Sequence, residues 1–390
     1  MRYLRSALYS LITLISVLLI ITLIITSWRV YRLTASVPHH PLERVILFTE
    51  IGNTIFEIEK RDVGGLTILT LFSNDVLHLL RTEGYEISMA VDNFTPRMAQ
   101  AVKRLNRAGI PVWVWPLHPF EDGYWLSADN AEKFPALYDR FQRWVSENRL
   151  TVKGIMLDME PTYQDVQLLR EAVKRDGILG AIGFLLDHRD RDLYTKAFLI
   201  YRDTVLQMQK DGYEVSTFNY AYILDDMLDG DNSIQEMFHI VFVPSDISSY
   251  MFYRSFFKDS GLGTGAANVL SYARSLNGGS AALGSYMKPF FSFEHLAEDL
   301  RIAARFSSVV HLYNLESLVL RGWLPRLSTV NLETPVDVPT MSALVITLYR
   351  TFFFLLDLFT GTSSLYAVPL LGALLVALFL IFYRRAGDAK

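Results

Sequence analysis

Between residue 44 and about residue 330 the chain alternates short apolar runs with helix-like segments, and no other feature narrows its choice of fold so far. Eight runs read as strands: RVILFT (44–49), EISMAV (86–91), IPVWVWP (110–116), VKGIMLD (152–158), YEVSTFNY (213–220), HIVFVP (239–244), SAALGSY (280–286) and VVHLYNL (309–315). Most are nearly continuous in Val, Ile and aromatic residues, as strands buried on both faces are. The segments between them carry helix signals. Thr95 suits an N-cap, Pro96 the first helical position and Gly109 the left-handed residue just past the end. Further helices are expected from about Asp190 to Lys210 before Gly212, near Ala266–Leu276, and from Ser292 to Phe306. Eight strand–helix units in about 285 residues predict an α/β fold, a (β/α)8 TIM-type barrel, with an open doubly wound sheet as the other arrangement. No Gly-x-Gly-x-x-Gly or Walker-type loop follows a strand, and Gly261-Leu262-Gly263-Thr264-Gly265 reads as a plain loop into a helix.

Outside the barrel region the chain changes character. Ser6–Trp28 is an uncharged run long enough to cross a hydrocarbon core as a helix. It exceeds the apolar core of a signal peptide and no small-x-small cleavage pattern follows closely, so an uncleaved anchor is expected over a removable leader. Leu365–Tyr383 is a second run of this kind, closed by Arg384 and Arg385. A third, Met341–Phe359, carries Arg350 and Asp357, two charges that a bilayer resists. If it lies at the interface, the chain crosses twice and the barrel is extracytoplasmic, with Arg2, Arg5, Arg384 and Arg385 inside. If it spans, GTSSL turns a hairpin and the barrel shares the side of the arginine tail. The first is favoured. The expected organisation is therefore an N-terminal membrane anchor and linker (1–43), a barrel domain (44–330) and a C-terminal membrane region (331–390), where 341–359 is interfacial or spanning and 365–383 spans.

Composition removes several functions. With 51% hydrophobic residues and 20% charged, the chain is neither disordered nor collagen-like. It has no cysteine, which excludes disulfides, thiol catalysis and cysteine metal sites. A net charge of −4 lacks the basic footprint of a nucleic-acid binder. His118 and His311 read as core or loop histidines, and no histidine spacing indicates a zinc site, so neither metal nor cofactor is expected.

In a (β/α)8 barrel the reacting groups stand at the carboxyl ends of the strands. The fourth ends in Gly154-Ile-Met-Leu-Asp158-Met-Glu160-Pro161, with two carboxylates two residues apart and hence on one face. Two partly desolvated carboxyls cannot both ionise cheaply, so one retains a proton near neutral pH, as a general acid must. The plainer role of such a pair is a helix cap or an ion pair with arginine.

This Asp-x-Glu at the end of an apolar strand four resembles the close of the glycoside hydrolase family 18 signature, that of the chitinases and their relatives, and is similar to the corresponding motif of the family 25 lysozymes. The resemblance implies a barrel in which the glutamate donates the proton and the aspartate supports it. Those roles fall on Glu160 and Asp158. It also implies that the aspartate can orient a substrate acetamido group as internal nucleophile. The earlier two aspartates of the full family 18 motif fall at Lys153 and Met156, so only its last third is present.

Other strand ends supply substrate-binding candidates: Glu50, Asp92, Asn219, Tyr220, Tyr222, Asp246, Tyr286 and Glu316, with Asn93 and Asn314 beside them. Tyr220 or Tyr222 would answer to the acetamido-binding tyrosine of family 18, one strand early. Trp113, Trp115, Tyr124 and Trp125 gather around strand three, where rings stack on sugar faces; one of Trp113 and Trp115 is expected in the core, and Trp115 and Trp125 are taken as ligand candidates. The function expected is a membrane-anchored glycoside hydrolase-like barrel acting on a cell-envelope or secreted polysaccharide. The alternative is a non-catalytic glycan-binding or membrane-complex assembly protein on the same scaffold, with other membrane proteins as partners. A cytoplasm-facing barrel acting on a lipid-linked substrate is a third reading. The bilayer is a partner in each, and nucleic acid in none.

Overall fold

The computed structural model describes residues 42–59, 64–227, 230–256, 265–272, 276, 279–285 and 292–361. The apolar runs at 6–28 and 365–383 and the strand-end candidate Tyr286 lie outside them.

Eight parallel strands close into a barrel in sequence order: β1 (Arg44–Thr49), β2 (Glu86–Val91), β3 (Val112–Pro116), β4 (Gly154–Asp158), β5 (Glu214–Tyr220), β6 (Ile247–Met251), β7 (Ser280–Gly284) and β8 (Val309–Tyr313). β1 pairs with both β2 and β8, which closes the ring and leaves no open edge. Seven strands coincide with the apolar runs read from sequence. The sixth does not. HIVFVP forms no strand; Ile240, Val241 and Val243 are buried in the segment that leads to β6, and the barrel position goes to the more polar ISSYM.

The reason lies inside the barrel, whose side chains stack in layers. At the amino-terminal base Arg44 grips Glu86 (3.1 Å) and Glu214 (2.7 Å), and Lys153 adds a bond to Glu86 at 2.7 Å. Trp113, fully buried, donates its indole N–H to Glu86 at 2.6 Å and occupies the space beside Gly154, where a Cβ would fall 2.3 Å from the ring. Above this, Ser216, Ser249, Ser280 and His311 form a hydrogen-bonded chain with steps of 3.2, 2.6 and 2.9 Å. Ser249 belongs to β6, so a small hydroxyl residue is wanted at a position where HIVFVP offers only bulk. Burial pushes His311 down to about 3 and His118 down to about 4, so both are neutral core imidazoles at pH 7. Phe48, Trp115 and Phe218 fill the next layer, with Phe48 edge-on to both partners at 5.6 and 5.0 Å.

The helix caps follow the sequence. Thr95 accepts from Met98 N at 3.3 Å at the start of Pro96–Arg107, Asp190 from Leu193 N at 2.8 Å before Arg191–Lys210, and Ser292 from His295 N at 3.3 Å before Phe293–Ala303. Gly109 takes φ +72°, the left-handed value its place past a helix end demands.

Two features extend the barrel. After β4 comes a helical hairpin, Tyr163–His188, reversed at Gly177 (φ 62°, ψ −144°). Its arms touch so closely that a Cβ on Gly180 would meet the Ala172 carbonyl at 2.3 Å. The second is the Thr340–Thr360 helix, which lies against the barrel's own helices. Arg350 pairs with Asp225, donates to the Ser271 carbonyl and stands 4.1 Å over the Tyr272 ring. Asp357 accepts from Ser233 Oγ, and Arg189 donates to the Thr360 carbonyl. Phe353 stacks on Tyr222 at 4.4 Å. Both charges of the third apolar run are thus satisfied by protein, while Met341, Leu348 and Leu355, spaced by seven, remain on an exposed apolar face with Phe354. By length and composition this is the one candidate membrane helix among the described residues.

Candidate active site

The period of two along each strand decides which side chains reach the barrel mouth. On β4 the inward positions run Gly154, Met156, Asp158, and the backbone continues extended far enough for Glu160 to follow on the same side. Met159 N bonds Phe218 O and Leu126 pairs with Met159, so both carboxylates are held from two sides. Asp158 is buried and Glu160 half-buried above it. Burial drives both carboxyls up: Asp158 well above the ordinary carboxylate range, helped by the charges of Glu160 and Glu50, and Glu160 to about 7 despite its bonds to Tyr220 and Asp158. The two share a proton near neutrality and titrate as a pair. Tyr220 donates its hydroxyl to Glu160 Oε2 at 2.5 Å.

Glu50, at the end of β1, faces this pair and accepts hydroxyls from Tyr124 (2.6 Å) and Tyr313 (2.5 Å). Tyr124 is fully buried at φ +66°, a left-handed conformation that costs a non-glycine residue about 1 kcal/mol and sets its hydroxyl on Glu50. Tyr253, just past β6, lies close enough to Asp158, Glu160 and Glu50 for their charges to raise its phenol together with burial. Gly284 of β7 lies against that ring, where a Cβ would stand in ordinary contact at 3.4 Å from Tyr253 Cδ1. Three carboxylates and four phenols therefore converge on one mouth. Tyr124, Tyr253 and Tyr313 are the members not anticipated as site residues.

The remaining candidates fall elsewhere. Asn219 stands on the face of β5 opposite Phe218 and Tyr220 and points to the helical ring, where both its amide atoms are buried without a hydrogen-bond partner. Asp246 precedes β6 and belongs to the base of the barrel, accepting from Val215 N at 2.8 Å and Gln209 at 3.0 Å. The misread sixth strand carried it to the wrong end. Asp92 is buried at the top but spends one oxygen on Thr54 N (2.7 Å), fixing the loop after β1. Glu316 lies beneath that loop and accepts from Glu50 N and Ile51 N, both at 2.9 Å; burial pushes it up to about 7. Trp115 is in the layer below the mouth with its indole N–H unpartnered. Trp125, half-buried, forms a rim with Tyr124 (5.5 Å) and Tyr163 (6.0 Å). Tyr222 is buried in a stack between Tyr220 (5.2 Å) and Phe353, which links the acid's partner to the Thr340–Thr360 helix.

Beside Tyr220 opens a cleft of about 210 Å³ between the hairpin, the barrel and the Thr340–Thr360 helix. Its walls are largely apolar, from Leu169, Phe184, Leu185, Phe238 and Phe256.

Neither a protein family nor a curated protein matches the chain. Among solved structures it is similar to the family 1 β-glucosidase from Thermotoga maritima, with 11% identity over 72% of this chain and 89% of that one, TM-score 0.43. It is also similar to a Schiff base-forming fructose-1,6-bisphosphate aldolase (10% identity, 78% and 100% covered, TM-score 0.36) and to D-psicose 3-epimerase (11%, 80% and 99%, TM-score 0.37). What they have in common with this chain is the TIM-barrel fold, and its chemistry is to be read from its own mouth.

Proposed function

We propose that the chain is a membrane-anchored glycoside hydrolase-like barrel acting on a cell-envelope or secreted polysaccharide, with Glu160 as general acid and Asp158 as its partner. The observation that carries this reading is the Asp158–Glu160 pair on one face at the end of β4, with Glu160 bonded to Tyr220 at 2.5 Å in a mouth rich in phenol hydroxyls; burial raises both carboxyls, which favours a proton held near neutral pH. Glu160 protonates the departing glycosidic oxygen as the bond to the anomeric carbon breaks. The charge that develops at the anomeric carbon is met by a substrate acetamido oxygen that Asp158 orients, and water then bonds to that carbon, its proton returning to Glu160. Tyr220 holds Glu160 in place, and the half-buried rings of Trp125 and Tyr163 offer a stacking edge for a sugar. The half-exposed apolar row of the Thr340–Thr360 helix, with its charges turned to the barrel, supports an interfacial helix; with the apolar runs 6–28 and 365–383 read from the sequence as the two spans, the barrel is extracytoplasmic.

The test is turnover of β-linked N-acetylhexosamine glycans by the full chain in detergent micelles, wild type against Glu160→Gln. Gln keeps size and hydrogen bonding but carries no transferable proton, so turnover should fall by about 10²–10⁴ with the far-UV spectrum unchanged. A variant that keeps full rate removes the role from Glu160. Binding without cleavage by the wild type moves the conclusion to a glycan-binding module.

A further inference from the structure

At the base of the hairpin four residues from three parts of the chain meet: Asp129 in the loop after β3, Asp165 in the hairpin's first turn and His188 at its last, and His239 just after the Ser233–Phe238 helix. One donor atom from each lies within 4.8 Å of all the others. We propose that this cluster is a binding site for a divalent cation of the zinc type, and that the ion locks the hairpin onto the barrel.

The ligand set suits such an ion. Two imidazoles with two carboxylates give four mixed nitrogen and oxygen donors, a combination that borderline metals favour and that calcium or magnesium, with their oxygen shells, do not. In a tetrahedral zinc site, bonds of about 2.0–2.1 Å put neighbouring donors roughly 3.3 Å apart. His188 Nε2 and Asp165 Oδ1 already stand at 3.5 Å. That nitrogen is buried with no hydrogen-bond partner, so its lone pair or proton faces only the cluster. His239 Nδ1 is 2.8 Å from Asp129 Oδ2. All separations lie within 4.8 Å, so none has to close by more than about 1.5 Å, within reach of small rotations of the rings and the half-exposed Asp129.

His239 faces the His188 carbonyl at Nε2 (2.7 Å) and the Asp129 carboxylate at Nδ1, so Nδ1 is the ring atom turned toward the cluster. Its ring is stacked on that of His188 at 4.1 Å, which brings the two imidazoles side by side. A metal at the position of the Nδ1 proton would take over the pairing with Asp129 and recruit His188 Nε2 and Asp165. Because Asp165 and His188 sit at opposite ends of the Tyr163–His188 hairpin, one ion would pin both of its feet to the loop after β3 and the segment before β6. The hairpin starts three residues after Glu160, so the same ion would fix one wall of the apolar cleft.

The test uses the full chain in detergent micelles, stripped with a chelator and dialysed against Zn²⁺ alone, then read by metal content and by thermal unfolding. One equivalent per chain and a raised Tm are expected, together with visible d–d bands when Co²⁺ replaces Zn²⁺. His188→Ala and Asp129→Asn should each weaken binding by at least about 10–100-fold with an unchanged far-UV spectrum, whereas Glu160→Gln should leave it intact. Absence of stoichiometric Zn²⁺ on the wild type overturns the proposal. So does binding that survives both cluster variants, or that is lost in Glu160→Gln alone, since the ion would then sit elsewhere or in the barrel mouth.

Discussion

The position of the Thr340–Thr360 helix can be decided by the pair Arg350–Asp225. Arg350 reaches Asp225 with two nitrogens, donates to the Ser271 carbonyl and covers the Tyr272 ring, with the two side chains 27% and 17% exposed. Two unit charges about 4 Å apart attract by roughly 4 kcal/mol at an effective dielectric of 20, and desolvation of both groups takes back much of this. A net coupling of about 1–2 kcal/mol is expected for a charge-assisted, partly buried pair, above the range of exposed ones. Arg350→Met and Asp225→Asn should each destabilise the chain by about 1.5–3 kcal/mol, because each leaves a buried partner unmatched. The double variant should lose less than their sum by the coupling. Denaturant unfolding of the full chain in mixed micelles, followed by tryptophan fluorescence, measures all four corners of the cycle. A helix that instead crossed the bilayer would gain from losing an intramembrane arginine, by about 2.5–3.5 kcal/mol on insertion scales. A stabilising Arg350→Met with no coupling to Asp225 would therefore refute the docked helix.

The Asp158–Glu160 pair titrates together with Glu160 raised to about 7, so the fully protonated pair is present below that pH and loses a proton above it; turnover should decline as pH rises through about 7, and Glu160→Gln should abolish that limb. Glu316 carries the same sign in stability: its folded value of about 7 against an ordinary 4.5 means that the folded chain holds a proton the unfolded chain releases between those values. Its contribution is complete below pH 4.5 and is lost as pH rises through 7, an order of about 3 kcal/mol at most. Glu316→Gln keeps an acceptor for the Glu50 and Ile51 amides, and should flatten the fall in denaturation midpoint from pH 5 to 8. Gly154→Ala should cost about 3 kcal/mol, since the new Cβ meets Trp113 at 2.3 Å and the Glu214 carbonyl at 2.4 Å; Gly154→Ala combined with Trp113→Phe should recover part of it in the same unfolding assay.

The barrel was legible because seven of its strands are apolar runs with turn residues on either side, and because the caps at Thr95, Asp190 and Ser292 mark helix starts locally. The sixth strand was not, for a physical reason. A buried apolar run satisfies burial without naming its partner, and HIVFVP is buried outside the sheet while ISSYM supplies the hydroxyl that Ser216 and Ser280 need at Ser249. The hairpin was missed as well. Its signal was distance: some 55 residues separate the end of β4 from the start of β5, against 20 to 37 between the other consecutive strands, and a single crossover helix does not fill that span.

For the site, side-chain parity was a better guide than residue chemistry. Asp158 and Glu160 could be read as neighbours because spacing by two on a strand ending admits one geometry. The same count applied from Phe48, Phe218 and His311, whose rings meet inside the barrel, selects Glu50 on β1, Tyr220 rather than Asn219 on β5, and Tyr313 rather than Asn314 on β8. Asparagine looks the more polar choice at both strand ends, yet Asn219 faces the helices and Asn314 caps the Leu315–Leu320 helix through Ser317 N. Tyr253 follows the sixth strand and was lost with it. The cluster at the hairpin base lay beyond any such count, because Asp129, Asp165, His188 and His239 come from loops and helix ends with no common period, and only the reversal at Gly177 brings His188 back to Asp165. Where chemistry is placed by one regular element a sequence reveals it; where it is placed by the return of an irregular one, the fold has to be known first.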